Sequence, residues 1–135
     1  MRQTFIKTLR SYIGVPYRHL GRSRRGIDCL GLLICAANDC GLRKGFDFKG
    51  YKGRPDGSLL ELMAQEVRKI PLPSAQPGDI LVFKGPERLP CHTAVLTTPT
   101  AIIHAWGEFG RVSEHQLKSF LTPIAAFDPF EVLDG

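Results

Sequence analysis

The feature that most constrains the fold is a run, residues 30–37, that is apolar on every side of a helix. It reads Leu-Gly-Leu-Leu-Ile-Cys-Ala-Ala, and a helix without a polar face has to be buried all round. Asp28 before the run suits a helix N-cap, and Gly41 after it suits the left-handed residue that ends a helix. The pattern predicts a central buried helix from Asp28 to Cys40, with Cys29 in its first turn.

Two further helices are predicted from apolar residues at helical spacing. The first is a short amphipathic helix over Thr4–Ile13, and the second covers Leu59–Ile70, with Ser58 opening a capping box. Between them lie a polar loop at 18–27 and a long, glycine-rich loop at 43–57. Loops of that length without regular structure are often functional, so the second is a candidate lid over a cleft.

The second half of the chain is rich in β-branched residues and predicts strands. Ile80–Lys84 follows a Gly-Asp turn, and His92–Thr97 and Ala101–Trp106 flank a Thr-Pro-Thr turn that predicts a hairpin. Helices come first and strands later. This order predicts an α+β fold in which an antiparallel sheet packs on the central helix.

The size of the chain allows one domain, over residues 1–135. The composition, 43% hydrophobic and 23% charged residues, is typical of a soluble globular protein. No apolar run approaches the length of a membrane span, and residues 1–7 lack the pattern of a secretory signal. We therefore expect no membrane partner, and a protein acting outside the cytoplasm would need another carrier.

Basic residues are in excess and cluster in two segments. Lys and Arg number 18 against 13 Asp and Glu, a net charge of +5, and the excess lies at 18–25 and 43–54. Such clusters are either solvated loops or surfaces for an anionic partner. Aromatic residues do not interleave with them as on single-strand binding surfaces, so no nucleic acid partner is expected.

The four cysteines are Cys29, Cys35, Cys40 and Cys91. Since residues 1–7 lack a secretory signal, a disulfide framework is not expected. The cysteines form no C-x-x-C pair, so no structural zinc site is expected either, and nothing calls for a cofactor. Of the three on the central helix, only Cys29 sits where the helix N-terminus would lower the pKa of a thiol and favour nucleophilic chemistry. A small buried hydrophobic residue is the alternative interpretation of Cys29.

Two histidines lie on the predicted hairpin. His92 and His104 are about equally distant from its turn and differ by an even number, so their rings can share one face, one orienting the other. The alternative is a pair of polar core residues satisfied by the backbone. His19 lies in the basic loop and His115 begins a predicted C-terminal helical segment, and both are predicted at the surface.

Several motifs together resemble those of the NlpC family of cell-wall cysteine peptidases. The resemblance runs from Tyr12 to about Pro129. The matching segments, in chain order, are residues 12–17 (Tyr-Ile-Gly-Val-Pro-Tyr), 26–32 (Gly-Ile-Asp-Cys-Leu-Gly-Leu), 76–83 (Gln-Pro-Gly-Asp-Ile-Leu-Val-Phe), 92–95 (His-Thr-Ala-Val) and 102–105 (Ile-Ile-His-Ala).

The resemblance implies a papain-like fold and hydrolysis of peptidoglycan stem peptides, often at a γ-D-glutamyl bond to a diamino acid. It implies that Cys29 is the nucleophile, His92 the base and His104 the third polar residue. Tyr17 matches a tyrosine that helps to hold the oxyanion or the substrate. Asp28 matches the acidic residue before the cysteine, which we interpret mainly as a cap and loop anchor.

Two departures from the family pattern are Leu30, where most members have Ser, and Leu20-Gly21, where two glycines are frequent. With the short chain, they resemble the branch found in phage tails and gene-transfer particles, which implies delivery to the cell wall by a tail. In the basic loop, Arg22, Arg24 and Arg25 are candidates for holding a stem-peptide carboxylate.

Two alternative functions remain open at this point. One is a catalytically inactive tail protein that uses the cleft only for binding to the wall or to a neighbouring subunit. The other is an amidase or acyltransferase on the same fold. Related lipid-modifying proteins carry His before Cys in the chain, and the reverse order here favours the peptidase.

Overall fold

Helices and strands follow one another much as the sequence patterns predict. The computed structural model describes residues 1–43, 58–85, 90–120 and 122–131. The helices are α1 (Arg2–Arg10), α2 (Cys29–Asp39) and α3 (Leu59–Glu66), with short 3₁₀ turns at Leu72–Ser74 and Leu117–Ser119. The strands are β1 (Arg22–Ser23), β2 (Gly26–Ile27), β3 (Arg68–Ile70), β4 (Ile80–Lys84), β5 (Pro90–Leu96), β6 (Ala101–Trp106), β7 (Arg111–Gln116) and β8 (Pro123–Asp128).

Six strands form one antiparallel sheet in the order β3-β8-β4-β5-β6-β7, and β1 and β2 form a small separate hairpin. Helix α2 packs against α1 on one side and against β5 and β6 on the other. The apolar side chains of α2 share a core with β5 and β6 residues such as Val95 and Ile103, while Leu81, Phe83 and Ile102 belong to a second core. The predicted α+β arrangement, a central helix on an antiparallel sheet, is confirmed.

The predicted ends of α2 are also confirmed. The Asp28 side chain accepts a hydrogen bond from the Gly31 N–H, which satisfies one of the free donors of the first turn. At the other end Gly41 has a φ of +75°, a left-handed conformation that favours glycine. The helix therefore starts with Cys29 in its first turn.

Three predictions about local structure are wrong. The helix predicted over residues 59–70 ends at Glu66, because Arg68–Ile70 pairs with β8 instead. The Ser58 side chain makes no cap hydrogen bond to α3. His115, predicted to begin a helical segment, lies on β7, where pairing with β6 overrides the local pattern.

None of the helices in the described residues is both long enough and apolar enough to span a membrane. The long loop predicted at 43–57 lies outside the described residues from 44 onward, and so does its suggested role as a lid.

Candidate active site

Cys29 lies at the buried start of α2, and its neighbour Asp28 anchors the loop that precedes it. Asp28 is 1% exposed and accepts three hydrogen bonds, from the N–H groups of Gly31 and Leu20 and from the Arg22 guanidinium, at 2.7, 2.9 and 2.8 Å. The bonds from Leu20 and Arg22 hold the 18–27 loop on Asp28, and the bond from Gly31 joins Asp28 to the helix. The predicted role of Asp28 as cap and loop anchor is confirmed.

Gly31, two residues after Cys29, is also required for a structural reason. A Cβ built on Gly31 would lie 2.3 Å from the carbonyl oxygen of Gly21, far inside van der Waals contact. The loop backbone therefore rests directly on the first turn of α2. A larger residue at position 31 would push the loop away from the thiol.

The surroundings of the Cys29 thiol disfavour its ionised form. Burial raises the pKa of the thiol to about 11, and the Asp28 carboxylate adds to the rise. The backbone N–H and the hydroxyl of Thr93 and the backbone N–H of Leu30 act in the opposite direction, with a smaller effect. The expectation of a lowered thiol pKa is therefore wrong, because burial and a neighbouring negative charge outweigh the helix N-terminus.

His92 and His104 are brought together as the hairpin predicts. His92 Nε2 lies 2.7 Å from His104 Nδ1, and both residues are almost completely buried. The pairing of Val95 with Ile103 and of Leu96 with Ile102 makes the two histidines diagonal neighbours on one face of β5 and β6. The predicted contact between the rings is confirmed.

A third histidine, which the sequence patterns missed, extends this pair. His115 Nε2 lies 2.8 Å from His104 Nε2, and His115 Nδ1 lies 3.0 Å from the backbone carbonyl oxygen of Gln116. His115 reaches His104 because β7 pairs with β6 so that Ser113 is opposite His104. The segment Arg-Val-Ser-Glu-His-Gln (111–116) holds one apolar residue and no polar–apolar alternation, so the local sequence carries no signal for a strand here.

Burial keeps the two inner histidines neutral. The pKa of His92 is lowered well below its usual 6.5, first by burial and then by His104. The pKa of His104 is lowered to about 3, first by burial and then by His115. Near neutral pH the site therefore holds a neutral thiol and neutral imidazoles, not a thiolate–imidazolium pair.

Aromatic side chains enclose the His92 ring. Its centroid lies 4.4 Å from that of Trp106, 5.6 Å from Phe120 and 5.9 Å from Phe83. These neighbours exclude water from the ring and restrict its rotation, which preserves the hydrogen bond to His104.

The Cys29 thiol lies close to the backbone of β5. Thr93, the residue after His92, is the part of β5 that contacts the thiol. Among the hydrogen bonds of the described residues, none joins the Cys29 thiol to the His92 ring. Such catalytic hydrogen bonds often form only in the complex with substrate.

Tyr17 lies near enough to Cys29 for the charge of the thiolate to act on its phenol. Its pKa is raised, first by burial and then by the charges of Cys29, Asp28 and Cys91, so the phenol stays protonated and can donate a hydrogen bond. Its backbone is hydrogen-bonded to the Gly110 carbonyl at 2.8 Å, and its ring lies 3.5 Å from where a Cβ of Gly107 would be.

The basic residues suggested for substrate binding are largely engaged within the protein. Arg22 forms an ion pair with Asp28 at 2.8 Å, and Arg24 stacks over the Tyr12 ring at 3.9 Å and donates to the Ser11 carbonyl. This weighs against Arg22 and Arg24 as carboxylate ligands. Within the described part of the chain, no group of three or more His, Cys, Asp or Glu side chains is arranged to hold a metal ion.

This chain is similar to known proteins over most of its length. Residues 14–123 match the NlpC/P60 family. The chain is 32% identical to dipeptidyl-peptidase 6 of Lysinibacillus sphaericus over 77% of its length, which is 32% of that protein. It is 30% identical to the probable endopeptidase NlpC of Escherichia coli over 72% of its length, which is 56% of that protein. The chain thus spans between a third and little more than half of these relatives.

Solved structures show the same fold. The NlpC/p60 domain of the peptidoglycan hydrolase SagA superposes with a TM-score of 0.73 at 23% identity, covering 95% of this chain and 98% of that one. RipD of Mycobacterium tuberculosis, described as a non-catalytic NlpC/p60 domain protein adapted to peptidoglycan binding, gives a TM-score of 0.63 at 19% identity, covering 93% and 95%. The papain-like α+β fold, the matched segment and the two relatives together show that this chain belongs to the NlpC/P60 family.

Proposed function

We propose that this protein is a cysteine peptidase that hydrolyses peptidoglycan stem peptides through an acyl-enzyme on Cys29. The observation that carries the proposal is the hydrogen bond between His92 and His104, with the Cys29 thiol at the adjacent Thr93. A nucleophile, a base and a group that orients the base are the minimum set for this chemistry.

The mechanism starts from neutral partners, because burial disfavours both the thiolate and the imidazolium. His92 takes the thiol proton as the sulfur attacks the amide carbon, so a C–S bond forms while the carbonyl becomes an oxyanion. His92 then passes the proton to the leaving amine as the C–N bond breaks. Water, deprotonated by His92, attacks the thioester and releases the carboxylic acid and the Cys29 thiol.

The oxyanion would be held at the start of α2 and by Tyr17. Asp28 already occupies the Gly31 N–H, which leaves the N–H groups of Cys29 and Leu30 in the first turn for a developing negative charge. The protonated Tyr17 phenol supplies a further donor in the cleft. Asp28 supports this region through the loop and makes no contact with substrate in the proposal.

The substrate class rests on the relatives and on the sequence motifs. One relative is named a dipeptidyl-peptidase and another a probable endopeptidase, and SagA is named a peptidoglycan hydrolase. A γ-D-glutamyl bond to a diamino acid is the bond that we propose is cut. Delivery to the wall by a phage tail or similar particle is a further part of the proposal, supported by the departures at Leu30 and Leu20-Gly21.

The test is digestion of purified peptidoglycan and of a soluble stem peptide, with products identified by mass spectrometry. The wild type should release new amine and carboxylate ends, and Cys29→Ala should release none. Cys40→Ala is the matched control, because Cys40 ends the same helix roughly 16 Å away and should retain full activity. Equal cleavage by Cys29→Ala and wild type would refute the proposal.

A second candidate function is binding to peptidoglycan without cleavage. Two observations favour it: the thiol and the His92 ring are not hydrogen-bonded among the described residues, and a structural relative is described as non-catalytic. Co-sedimentation with insoluble peptidoglycan separates the two functions. Binding by wild type and Cys29→Ala alike, with no cleavage by either, would favour this second function.

A further inference from the structure

The three histidines form a continuous chain of hydrogen bonds that ends on a backbone carbonyl. It runs from His92 to His104 at 2.7 Å, to His115 at 2.8 Å and to the Gln116 carbonyl oxygen at 3.0 Å. We propose that His115 is a positioning residue that sets the tautomer of His104 and, through it, the tautomer of His92. The inference rests on the proposed function, in which a neutral His92 ring is the base.

The donor and acceptor at each hydrogen bond of this row follow from its outer end, at His115 and Gln116. A carbonyl oxygen can only accept a hydrogen bond, so the Gln116 carbonyl requires the proton of His115 to be on Nδ1. A neutral imidazole carries a single N–H. In the neutral form of His115, Nε2 therefore holds a lone pair and is an acceptor.

The same argument passes inward to His104. His104 Nε2 faces the His115 Nε2 lone pair at 2.8 Å, so the proton of His104 is on Nε2. The opposite tautomer would set two lone pairs against each other in a buried site, where an unpaired polar group is costly. His104 Nδ1 is thereby left as an acceptor.

The last step assigns the tautomer of His92. His104 Nδ1 accepts, so His92 Nε2 carries the proton and donates across 2.7 Å, and the lone pair of His92 is on Nδ1. In the described part of the chain Nδ1 has no hydrogen-bond partner, which leaves it as the basic atom. A neutral base in the other tautomer would hold its lone pair in the hydrogen bond to His104, where it cannot take a proton from the thiol.

The packing of the rings supports a fixed arrangement. Phe120 lies 4.7 Å from the His104 ring and 5.8 Å from the His115 ring, centroid to centroid, and Phe109 lies 5.8 and 5.5 Å from the same two rings. These contacts restrict ring flips that would exchange Nδ1 and Nε2. His115 can therefore act on His92 through two hydrogen bonds and the His104 ring between them.

The first test is ¹⁵N NMR of the imidazoles in the full chain, at a pH well above the titration range of histidine. His92 and His104 are expected in the Nε2–H form and His115 in the Nδ1–H form, the less common one in water. His115 in the Nε2–H form would overturn the proposal. This measurement needs no substrate, so it stands even if peptidoglycan is not cleaved.

The second test compares His115→Phe with His115→Gln. Phe offers no acceptor, so His104 and His92 should become tautomer mixtures and kcat should fall about tenfold or more, with KM little changed. The amide oxygen of Gln can accept from His104, so His115→Gln should retain the Nε2–H forms and most of the activity. Tautomers that stay unchanged in a folded His115→Phe would refute the role of His115.

Ser113→Ala provides the matched control. Ser113 lies on β7, the strand that carries His115, and pairs with His104 on β6. Its buried hydroxyl has no hydrogen-bond partner among the described residues. Its loss should leave tautomers and kcat unchanged. A loss of activity in Ser113→Ala equal to that in His115→Phe would show a general disturbance of β7 and overturn the specific role.

Discussion

His92 and His104 are hydrogen-bonded, Nε2 to Nδ1, at 2.7 Å although they are not directly opposite each other on their strands. The register of β5 and β6 offsets them by two residues, and the register of β6 and β7 offsets His104 and His115 in the same way. Diagonal neighbours on a twisted sheet are within reach of long or aromatic side chains. A row of three rings therefore crosses three strands on one face.

The hydrogen bond between His104 and His92 predicts a difference between two substitutions of His104. His104→Asn retains an acceptor near the position of Nδ1 and should keep much of the activity. His104→Leu removes the acceptor and should lower kcat roughly 10²–10³-fold. KM should be nearly unchanged, because the substitution removes the group that orients the base and removes no contact with substrate. Steady-state kinetics on the stem peptide measures this difference, and equal kcat values in the two folded variants would contradict it.

The contact between Thr93 and Cys29 predicts a change in thiol reactivity. The Thr93 hydroxyl lowers the pKa of the Cys29 thiol. Its contact with the thiol is outside ordinary hydrogen-bond geometry, and no other described residue is hydrogen-bonded to it. Thr93→Val keeps the shape and removes the hydroxyl. The pKa of the thiol should rise, and alkylation of Cys29 at fixed pH should slow several-fold, without loss of stability.

Alkylation is followed by mass spectrometry of the peptide that contains Cys29. Thr97→Val is the control. Thr97 comes directly after β5, is also buried, and its hydroxyl has no partner of ordinary hydrogen-bond geometry among the described residues. Thr97→Val should leave the alkylation rate unchanged. Faster alkylation in Thr93→Val would contradict the assigned effect of the hydroxyl.

The backbone of Leu20 predicts a stabilising substitution. Leu20 has a φ of +60°, a left-handed conformation that is unfavourable for a residue with a Cβ, and its side chain is 48% exposed. Leu20→Gly relieves the strain and loses little buried surface. The free energy of unfolding should rise by about 0.5–1 kcal/mol after the entropy cost of glycine.

Denaturant titration measures this change. Leu20→Ala is the control, because alanine retains the Cβ and should leave the free energy of unfolding nearly unchanged. The Leu20 N–H donates to Asp28, and glycine keeps this bond. A lower stability of Leu20→Gly would mean that the Leu20 side chain outweighs its backbone strain.

The buried histidines predict a loss of stability in mild acid. The pKa of His104 in the folded protein is lowered to about 3, and that of His92 is also lowered. Below about pH 6.5 the unfolded chain binds protons on these rings and the folded chain does not, so the free energy of unfolding falls with decreasing pH. The slope that each ring contributes approaches about 1.4 kcal/mol per pH unit well below pH 6.5.

Denaturant titrations between about pH 7 and about pH 5 test this slope. Asp79, whose pKa is raised mainly by burial, contributes with the opposite sign, so the comparison with a His104 variant isolates the histidine contribution. His104→Leu should show a shallower slope than the wild type. Identical slopes in the two proteins would show that His104 is not a neutral buried group in the folded state.

Much of the site can be predicted from local sequence because local rules govern it. The cap at Asp28, the stop at Gly41 and strands such as Ile80–Lys84 depend on residues near them in the chain. The pairing of His92 with His104 follows from a short hairpin, whose turn limits the register. These predictions hold because little else in the molecule competes with them.

Other features depend on segments far apart in the chain. Residues 68–70 leave the predicted helix because β8, more than fifty residues later, offers them backbone partners. Arg22 forms an ion pair with Asp28, and Arg24 stacks on the Tyr12 ring. The number and position of charges in the sequence do not predict these contacts. In each case a distant partner outweighs a local preference.

By itself, the sequence determined the central helix with Cys29 in its first turn, the hairpin that carries two histidines, and the family. Only the tertiary structure decided the protonation of the site and its third histidine. The thiol pKa of Cys29 is raised and the pKa of His92 is lowered because the packed fold removes both from water. His115 is hydrogen-bonded to His104 because strand pairing places Ser113 opposite His104, and His115 is two positions after Ser113. Burial and strand register arise from contacts across the whole fold, so they are decided only when the chain packs.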